Sequence, residues 1–220
     1  LAPAVLNGHI SGWAVRPEEQ ALFELVGMDA SLPIIGTAGT DAIAVSNNNG
    51  SGNKIESFLQ RTIEYRPVVN QGNGQASATL RIEFENTAPT SGFNEYVIDN
   101  LLDEPVGTNR MAVDVYTRMF VDRSIVDGLE TSFIRRPELG YWVASQMIDV
   151  ASGETAVLEM ELSGDLGPGG YRLVYRPQPL PNPDELIVEA TESDGSEILS
   201  FEGVLERRSV LDASGVEAWR

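Results

Sequence analysis

The sequence predicts a mostly β protein: an antiparallel β-sandwich with a small α+β segment at its N-terminal side. Three observations carry this. First, from about residue 74 the apolar period is two: Ala76, Ala78, Leu80, Ile82 and Phe84 face one way, and Ser77, Thr79, Arg81, Glu83 and Glu85 the other. That is an antiparallel strand with one buried face. Second, the alternation recurs at Met111, Val113 and Val115, at Ala156, Leu158, Met160 and Leu162, and at Tyr171, Leu173 and Tyr175. It continues at Leu186, Val188 and Ala190, then at Leu199, Phe201 and Leu205. Third, turn chemistry separates the runs: Gly72-Asn73-Gly74, Ala151-Ser152-Gly153, Gly167-Pro168-Gly169-Gly170 and Ser193-Asp194-Gly195. Roughly seven short strands punctuated this way read as a sandwich.

The organisation follows as residues 1–58, a small α+β segment; 59–205, the sandwich; and 206–220, a C-terminal tail. Residues 8–15 read as a short strand. Pro17-Glu18-Glu19 then starts a helix near residues 17–26, because Pro suits the first helical position and carboxylates suit the positive end of the dipole. Ala21, Leu22, Leu25 and Val26 share one face, and Gly27 is a natural stop. This helix is expected to pack on a sheet made by residues 8–15 and 40–46. Residues 41–46 are a short apolar run, read as a buried strand, and 61–69 read as another. Trp142 sits in a strand between Tyr141 and Val143. Pro177, Pro179, Pro181 and Pro183 cannot be central-strand backbone and make an extended connector between two strands.

Charge and composition narrow the function. The chain has 220 residues, with 15 Lys+Arg against 33 Asp+Glu, a net of −18. Such a surface repels phosphate backbones and anionic headgroups, so no nucleic acid is expected as a partner. The absence of Cys removes disulfides, thiolate metal sites and cysteine nucleophiles. The single His, His9, leaves no multi-His site, and it reads as a polar residue at a strand start. No nucleophile elbow, phosphate loop or dinucleotide fingerprint is present. Calcium would suit an acidic domain, but the twelve-residue Asp-rich loop is missing. No cofactor, no metal site and no catalytic residue is therefore assigned. Carboxylate pairs such as Asp184-Glu185, Asp103-Glu104 and Glu192 with Asp194 read as loop and turn solvation. Trp13, Trp142 and Trp219 read as core aromatics in preference to a sugar-stacking platform. The chain begins at Leu1 without Met, as expected of a processed product or excised fragment, and no run of about eighteen apolar residues occurs.

The most unusual segment follows the apolar run at 41–46. Asn47, Asn48, Asn49 and Asn53 concentrate amides in a turn-rich stretch, and Lys54 is the sole Lys beside fourteen Arg. Amides both donate and accept, which suits hydroxyl-rich ligands, and a compact ammonium can pair with an anionic group. These five residues are the candidate ligand-binding set. Asn also tolerates left-handed backbone and makes local turns, which is the structural account of the same segment.

Several motifs together resemble the bacterial family known as domain of unknown function 4012. They are Gly8-His9, Pro17-Glu18-Glu19-Gln20, the strand running into Asn47-Asn48-Asn49, Asn53-Lys54, and Leu59-Gln60-Arg61-Thr62-Ile63-Glu64-Tyr65. Asn86-Thr87-Ala88-Pro89, Gly170-Tyr171-Arg172-Leu173 and the Pro-rich run to Asp184 continue the pattern. Where members typically carry two aromatics before Leu-x-Arg, this chain has Ser57-Phe58. The resemblance implies the extracytoplasmic part of a Gram-positive, actinobacterial-type envelope protein, membrane-anchored only through a segment upstream of this chain. It carries over no catalytic residue. The function expected is a binding or structural module that contacts cell-wall polymer, such as glycan, or an envelope protein. The alternative is a carboxylate-dependent hydrolase or transferase acting on wall glycan together with an upstream domain.

Overall fold

The computed structural model describes residues 2–32, 36–100 and 103–218. Two helices open the chain, α1 (Ala2–Leu6) and α2 (Pro17–Leu25). Then come β1 (Thr40–Asn49), a 3₁₀ turn (Ile55–Phe58), β2 (Leu59–Val69), β3 (Gln75–Asn86) and a one-turn helix α3 (Glu95–Ile98). The middle of the chain holds β4 (Asn109–Thr117), β5 (Phe120–Val126), β6 (Leu129–Glu130), β7 (Ile134–Glu138), β8 (Tyr141–Val150) and β9 (Thr155–Asp165). The rest is β10 (Arg172–Arg176), β11 (Glu185–Glu192), β12 (Glu197–Val204), β13 (Ser209–Asp212) and β14 (Gly215–Ala218). Among the described residues about half is strand and a tenth helix, which fixes the class as mostly β.

The strands make two packed sheets. Sheet I runs β14-β13-β10-β1-β4-β8-β7, and sheet II runs β12-β11-β2-β3-β9-β5-β6. The period of two decides what lies between them. β2 and β3 send Ile63, Tyr65, Leu80, Ile82 and Phe84 inward, and β4 and β9 send Met111, Val113, Val115, Leu158 and Met160. Each such side chain contributes about 1.5–3 kcal/mol by leaving water. The polar faces of the same strands stay outside, where Arg81 bridges Glu64 and Glu83 at 2.9 and 2.7 Å.

Pairing is antiparallel except for one parallel pair in each sheet, β1 with β10 and β2 with β11. These two pairs are related. Of the four passages from sheet I to sheet II, one lies between β1 and β2 and another between β10 and β11, next to these pairs. The result is two β-arches stacked on each other. Parallel strands within a sheet are buried on both faces, and β1 is buried along Thr40–Val45. Its inner side chains join the main core, while Ala42 packs outward with Tyr141 and Val174 beneath Leu32, Tyr116 and Val210. The Pro-rich connector forms the second arch. Pro177 ends the β10 ladder, and the Gln178 side chain continues it, accepting from the Asn47 N–H at 2.8 Å and donating to the Asn47 carbonyl at 2.9 Å. Asn182 donates to the carbonyls of Ser57 and Leu59 at 3.1 and 2.9 Å, tying one crossing to the other.

Pro67 sits inside β2, where it has no N–H for a neighbour. The β2–β3 ladder is unbroken there, but the β2–β11 ladder skips Arg66 and Pro67 and resumes in the same register at Val68.

Several expectations are corrected. Residues 8–15 form no strand. α2 forms where expected, from Pro17, with Gly27 at φ +71 after its end. It buries no residue, however, and Leu25 is 81% exposed. Phe23 turns back on Gly12 in place of a sheet. Residues 40–49 lie in sheet I between β10 and β4. Residues 209–218 form β13 and β14, which extend sheet I. β5 escapes the alternation because its pairing with β9 shifts between Val121 and Arg123. β7 carries Arg135, Arg136 and Pro137 as an edge strand, a composition that discourages further pairing.

Two buried carboxylates staple the arches, one near each end. Asp184 meets Arg61 in a fork of 2.7 and 2.8 Å, both side chains being fully covered. Tyr175 donates to Asp184 at 2.9 Å, and the remaining Arg61 nitrogen donates to the side-chain Oδ1 of Asn47. The expectation that Asp184 solvates a loop is thereby overturned. Asp41 has no such cation in contact. It accepts from Tyr65 at 2.6 Å, Tyr171 at 3.1 Å and the Ala42 N–H at 2.8 Å. Burial dominates and raises its pKa from 3.8 to about 6, against the lowering effect of these bonds. Burial, reinforced by the adjacent carboxylates, keeps the Tyr65, Tyr171 and Tyr175 phenols well above their usual range, so they stay donors.

Asp184→Asn strands a buried guanidinium without its counter-charge and is expected to cost about 3–5 kcal/mol in urea unfolding. Arg61→Met combined with Asp184→Leu is expected to recover most of that. Equal losses in the single and double variants would show that packing, and not charge, holds the site.

Asp41 gives a pH dependence of opposite sign to an ion-paired carboxylate. Its folded pKa, about 6, lies above its unfolded value of 3.8. Neutral Asp41 therefore stabilises fully below about pH 4, and this is lost as pH rises through about 6. The loss is about 3 kcal/mol by pH 8. Asp41→Asn cannot ionise, so its stability relative to wild type should improve by about that amount between pH 4 and 8. A difference that does not change with pH would contradict this.

Candidate functional site

The Asn-rich segment is divided by the strand that contains it. Asn47 to Asn49 complete β1, where the expectation was a loop, and alternation sends their side chains to opposite faces. Asn47 points inward to Arg61 and is buried, with its Nδ2 left without a hydrogen-bond partner. Asn49 is a joint: its Oδ1 accepts from Ser51 and Gly52 N–H at 2.7 and 2.9 Å. Its Nδ2 donates to Asn53 Oδ1 at 2.9 Å and Glu56 at 2.7 Å. Asn53 is buried and donates to the Asp99 carbonyl. Asn48 faces outward and donates to Asp114 at 3.4 Å. Lys54 is exposed, without a partner among the described residues. The structure thus brings Asn47, Asn49 and Asn53 into the framework and leaves Asn48 and Lys54 for solvent or ligand.

Asn48 belongs to a polar network that crosses four strands on the outer face of sheet I. Ser145 of β8 donates to Asp114 of β4, and Arg136 of β7 donates to Ser145 and to Glu138 at 3.2 Å. Tyr116 of β4 donates to Glu138 at 3.2 Å. The network ends at a cleft of about 380 Å³ between sheet I and residues 30–32. Leu32, Ala44 and Pro177 give it apolar surface, and Ser46, Glu138, Arg176 and Gln178 give it polar groups. A second hollow of about 250 Å³ shares Ala30, Ser31, Arg176, Pro177 and Pro179 with it, and is closed by residues 6–11 and 206–208.

Arg176 is the common wall. Its Nη2 donates to the Ala30 carbonyl at 2.6 Å. Burial, then the nearby Arg208, holds the guanidinium below its usual range. The Tyr116 phenol is pushed up by burial first and by Glu138 second, and Tyr141 is pushed up to about 12 by burial. Both phenols are neutral at physiological pH; Tyr116 lines the cleft together with Glu138 and Arg176, whereas Tyr141 is buried behind it.

The cleft mouth carries a backbone anomaly that sequence reasoning missed. β7 and β8 are joined by the two residues Leu139 and Gly140, with φ +52 and +86. β5 and β6 are joined likewise by Asp127 and Gly128, with φ +50 and +77. Such turns need positive φ at both residues, which favours Asn or Asp followed by Gly. Asp127-Gly128 obeys this. Leu139 does not, and it is 78% exposed while lining the cleft. A Leu-Gly pair between two polar-flanked runs was the available signal.

Other candidates are dispersed. His9 lies exposed in a bend, away from any strand. Trp13 is 75% exposed, correcting its placement in the core, and Trp142 is half-buried edge-on to Phe120 at 5.1 Å. Trp219 lies outside the described residues. Glu192 accepts from Gln71, and Asp194 holds the turn through Ser196. Among the described residues no group of three or more His, Cys, Asp or Glu is placed to hold a metal ion, and no helix is long and apolar enough to cross a membrane.

No protein-family model and no curated protein matches the chain. Among solved structures it is similar to a putative nutrient binding protein from Legionella pneumophila, at 11% identity and a TM-score of 0.39, over 67% of this chain and 54% of that one. It is also similar to an M1 zinc metallopeptidase from Deinococcus radiodurans, at 13% identity and a TM-score of 0.38, over 76% of this chain and 42% of that one. The chain therefore spans about half or less of the length of these structures.

Asn49→Ala removes five local hydrogen bonds and is expected to cost about 1–3 kcal/mol, seen as a lower urea midpoint. Lys54→Ala should stay within about 0.5 kcal/mol of wild type. A Lys54 effect as large as that of Asn49 would mean that the ammonium has a structural partner.

Proposed function

We propose that this chain is an extracytoplasmic binding module of a cell envelope, and that the cleft on sheet I holds a segment of hydroxyl-rich wall polymer. The observation that carries the reading is Leu139. A bulky apolar residue occupies a left-handed turn position, exposed, at the mouth of a cleft whose walls mix apolar surface with hydroxyl, amide and charged groups. A strained, exposed residue of this kind points toward a contact made by its side chain. Apolar surface with a few fixed polar groups is how small-molecule sites combine affinity with orientation. Ser46 and Asn48 extend the polar wall along β1, so a polymer lying across sheet I meets donors and acceptors in series. The resemblance to domain of unknown function 4012 supports the envelope location. No step of catalysis is assigned.

Leu139→Asn separates contact from framework. Asn is the natural residue for that backbone, so the variant should be as stable as wild type or up to about 1 kcal/mol more stable. It should bind purified, insoluble actinobacterial cell wall at least fivefold more weakly in a sedimentation assay. A stabilised variant that binds wall as well as the parent would remove the basis of the proposal.

A further inference from the structure

We infer that the second hollow, beside the cleft, is an anion site that takes a carboxylate or phosphate group of the bound polymer. This inference rests on the cleft being a polymer site and adds the charge class of its ligand.

The argument begins with charge. The chain carries −18 overall, yet three of its fourteen Arg, namely Arg176, Arg207 and Arg208, line one hollow of about 250 Å³ against a single lining carboxylate, Glu206. That carboxylate is already engaged, accepting from Asn7 at 2.8 Å. Arg207 donates to Asn7 through Nε at 3.1 Å, which leaves its two terminal nitrogens unpaired among the described residues. Arg208 reaches Asp29 only at 3.9 Å and the Ser31 carbonyl at 3.4 Å. Arg176 gives one N–H to the Ala30 carbonyl and has no carboxylate in contact among the described residues. Elsewhere Arg61 pairs with Asp184 at 2.7 Å and Arg66 with Glu64 and Glu189 at 2.8 Å, while Arg118 and Arg135 are taken up by backbone carbonyls and, for Arg135, the Phe120 ring.

Three guanidinium groups beside one engaged carboxylate and the more distant Asp29 keep free donors that match planar carboxylate or tetrahedral phosphate oxygens. The net charge of −18 disfavours anions over the chain as a whole, so an anionic group gains most where cations are grouped, in this register. The hollow and the cleft share Arg176. A uronate or phosphodiester in the hollow therefore leaves the neighbouring sugar or polyol in the cleft.

The test uses the whole chain and four probes, inorganic phosphate, glycerol 3-phosphate, glucuronate and glucose, titrated by calorimetry. At least one charged probe should bind at least tenfold more tightly than glucose. Arg207→Gln, at an exposed position, should weaken it at least threefold with an unchanged melting temperature. Arg176→Lys keeps the charge but loses the fork and should weaken it at least fivefold. Preference for the two phosphates identifies a phosphate polymer, and preference for glucuronate a uronic acid polymer. Charged probes no tighter than glucose, or variants that bind like wild type, would overturn the inference. Wall binding that depends on Leu139 but not on Arg176 or Arg207 would sink the anion site alone. Charged probes that bind at Arg176 without any wall binding would sink the polymer reading alone.

Discussion

The Arg61–Asp184 pair is the constraint around which the sandwich is arranged. Removing two charges from water is costly, and only good geometry with further hydrogen bonds compensates. Here Arg61 of β2, Asp184 immediately before β11, the Tyr175 hydroxyl of β10 and the Asn47 amide of β1 supply that compensation. Four strands and both crossings must be in place before the pair is satisfied. That explains why the arches stack in one register: sliding β10 and β11 by one residue would turn Tyr175 to the other face and carry Asp184 away from Arg61.

Asp41 shows the other solution to the same problem. It stands at the opposite end of the β1 inner face, separated from Asn47 by Ile43 and Val45, and it meets hydroxyls in place of a cation. Tyr171 and Tyr175 come from one short strand and its edge, and each serves one carboxylate. The seam between the parallel pairs is therefore polar at both ends and apolar in the middle. The ends specify alignment, and the middle supplies the burial.

Much of this was legible in the sequence. Where one face is buried and the other wet, as in β2, β3, β4, β9 and β11, alternation located each strand within a few residues, and the glycine turns between them were read correctly. The readings failed where another constraint overrode the period. The β5 bulge scrambled it, β7 and β14 are short and largely exposed, and β13 is only four residues long. A strand was expected at residues 8–15 from irregular apolar residues that the structure leaves outside any sheet. Side-chain amides were taken as loop chemistry, but Asn47 and Asn49 serve inside the framework because strand geometry divides neighbours between two faces. The cleft itself was not legible, since Ser46, Leu139 and Arg176 come from distant parts of the chain.

The stacked arches also govern how the chain reaches its structure. The carboxylate that satisfies Arg61 lies 123 residues further on, and the second of the two tyrosines that reach Asp41 lies 130 further on. Contacts so distant along the chain carry a large loop-closure entropy before they return any stabilisation, and proteins dominated by them fold slowly. Until residues 171–192 have emerged and docked, β1 and β2 expose open ladder edges, Arg61 lacks its counter-charge and Asp41 lacks one of its three donors. The nascent first half is thus a state with sticky edges and no stable core of its own, and closure of the second arch is the event that commits the whole chain at once.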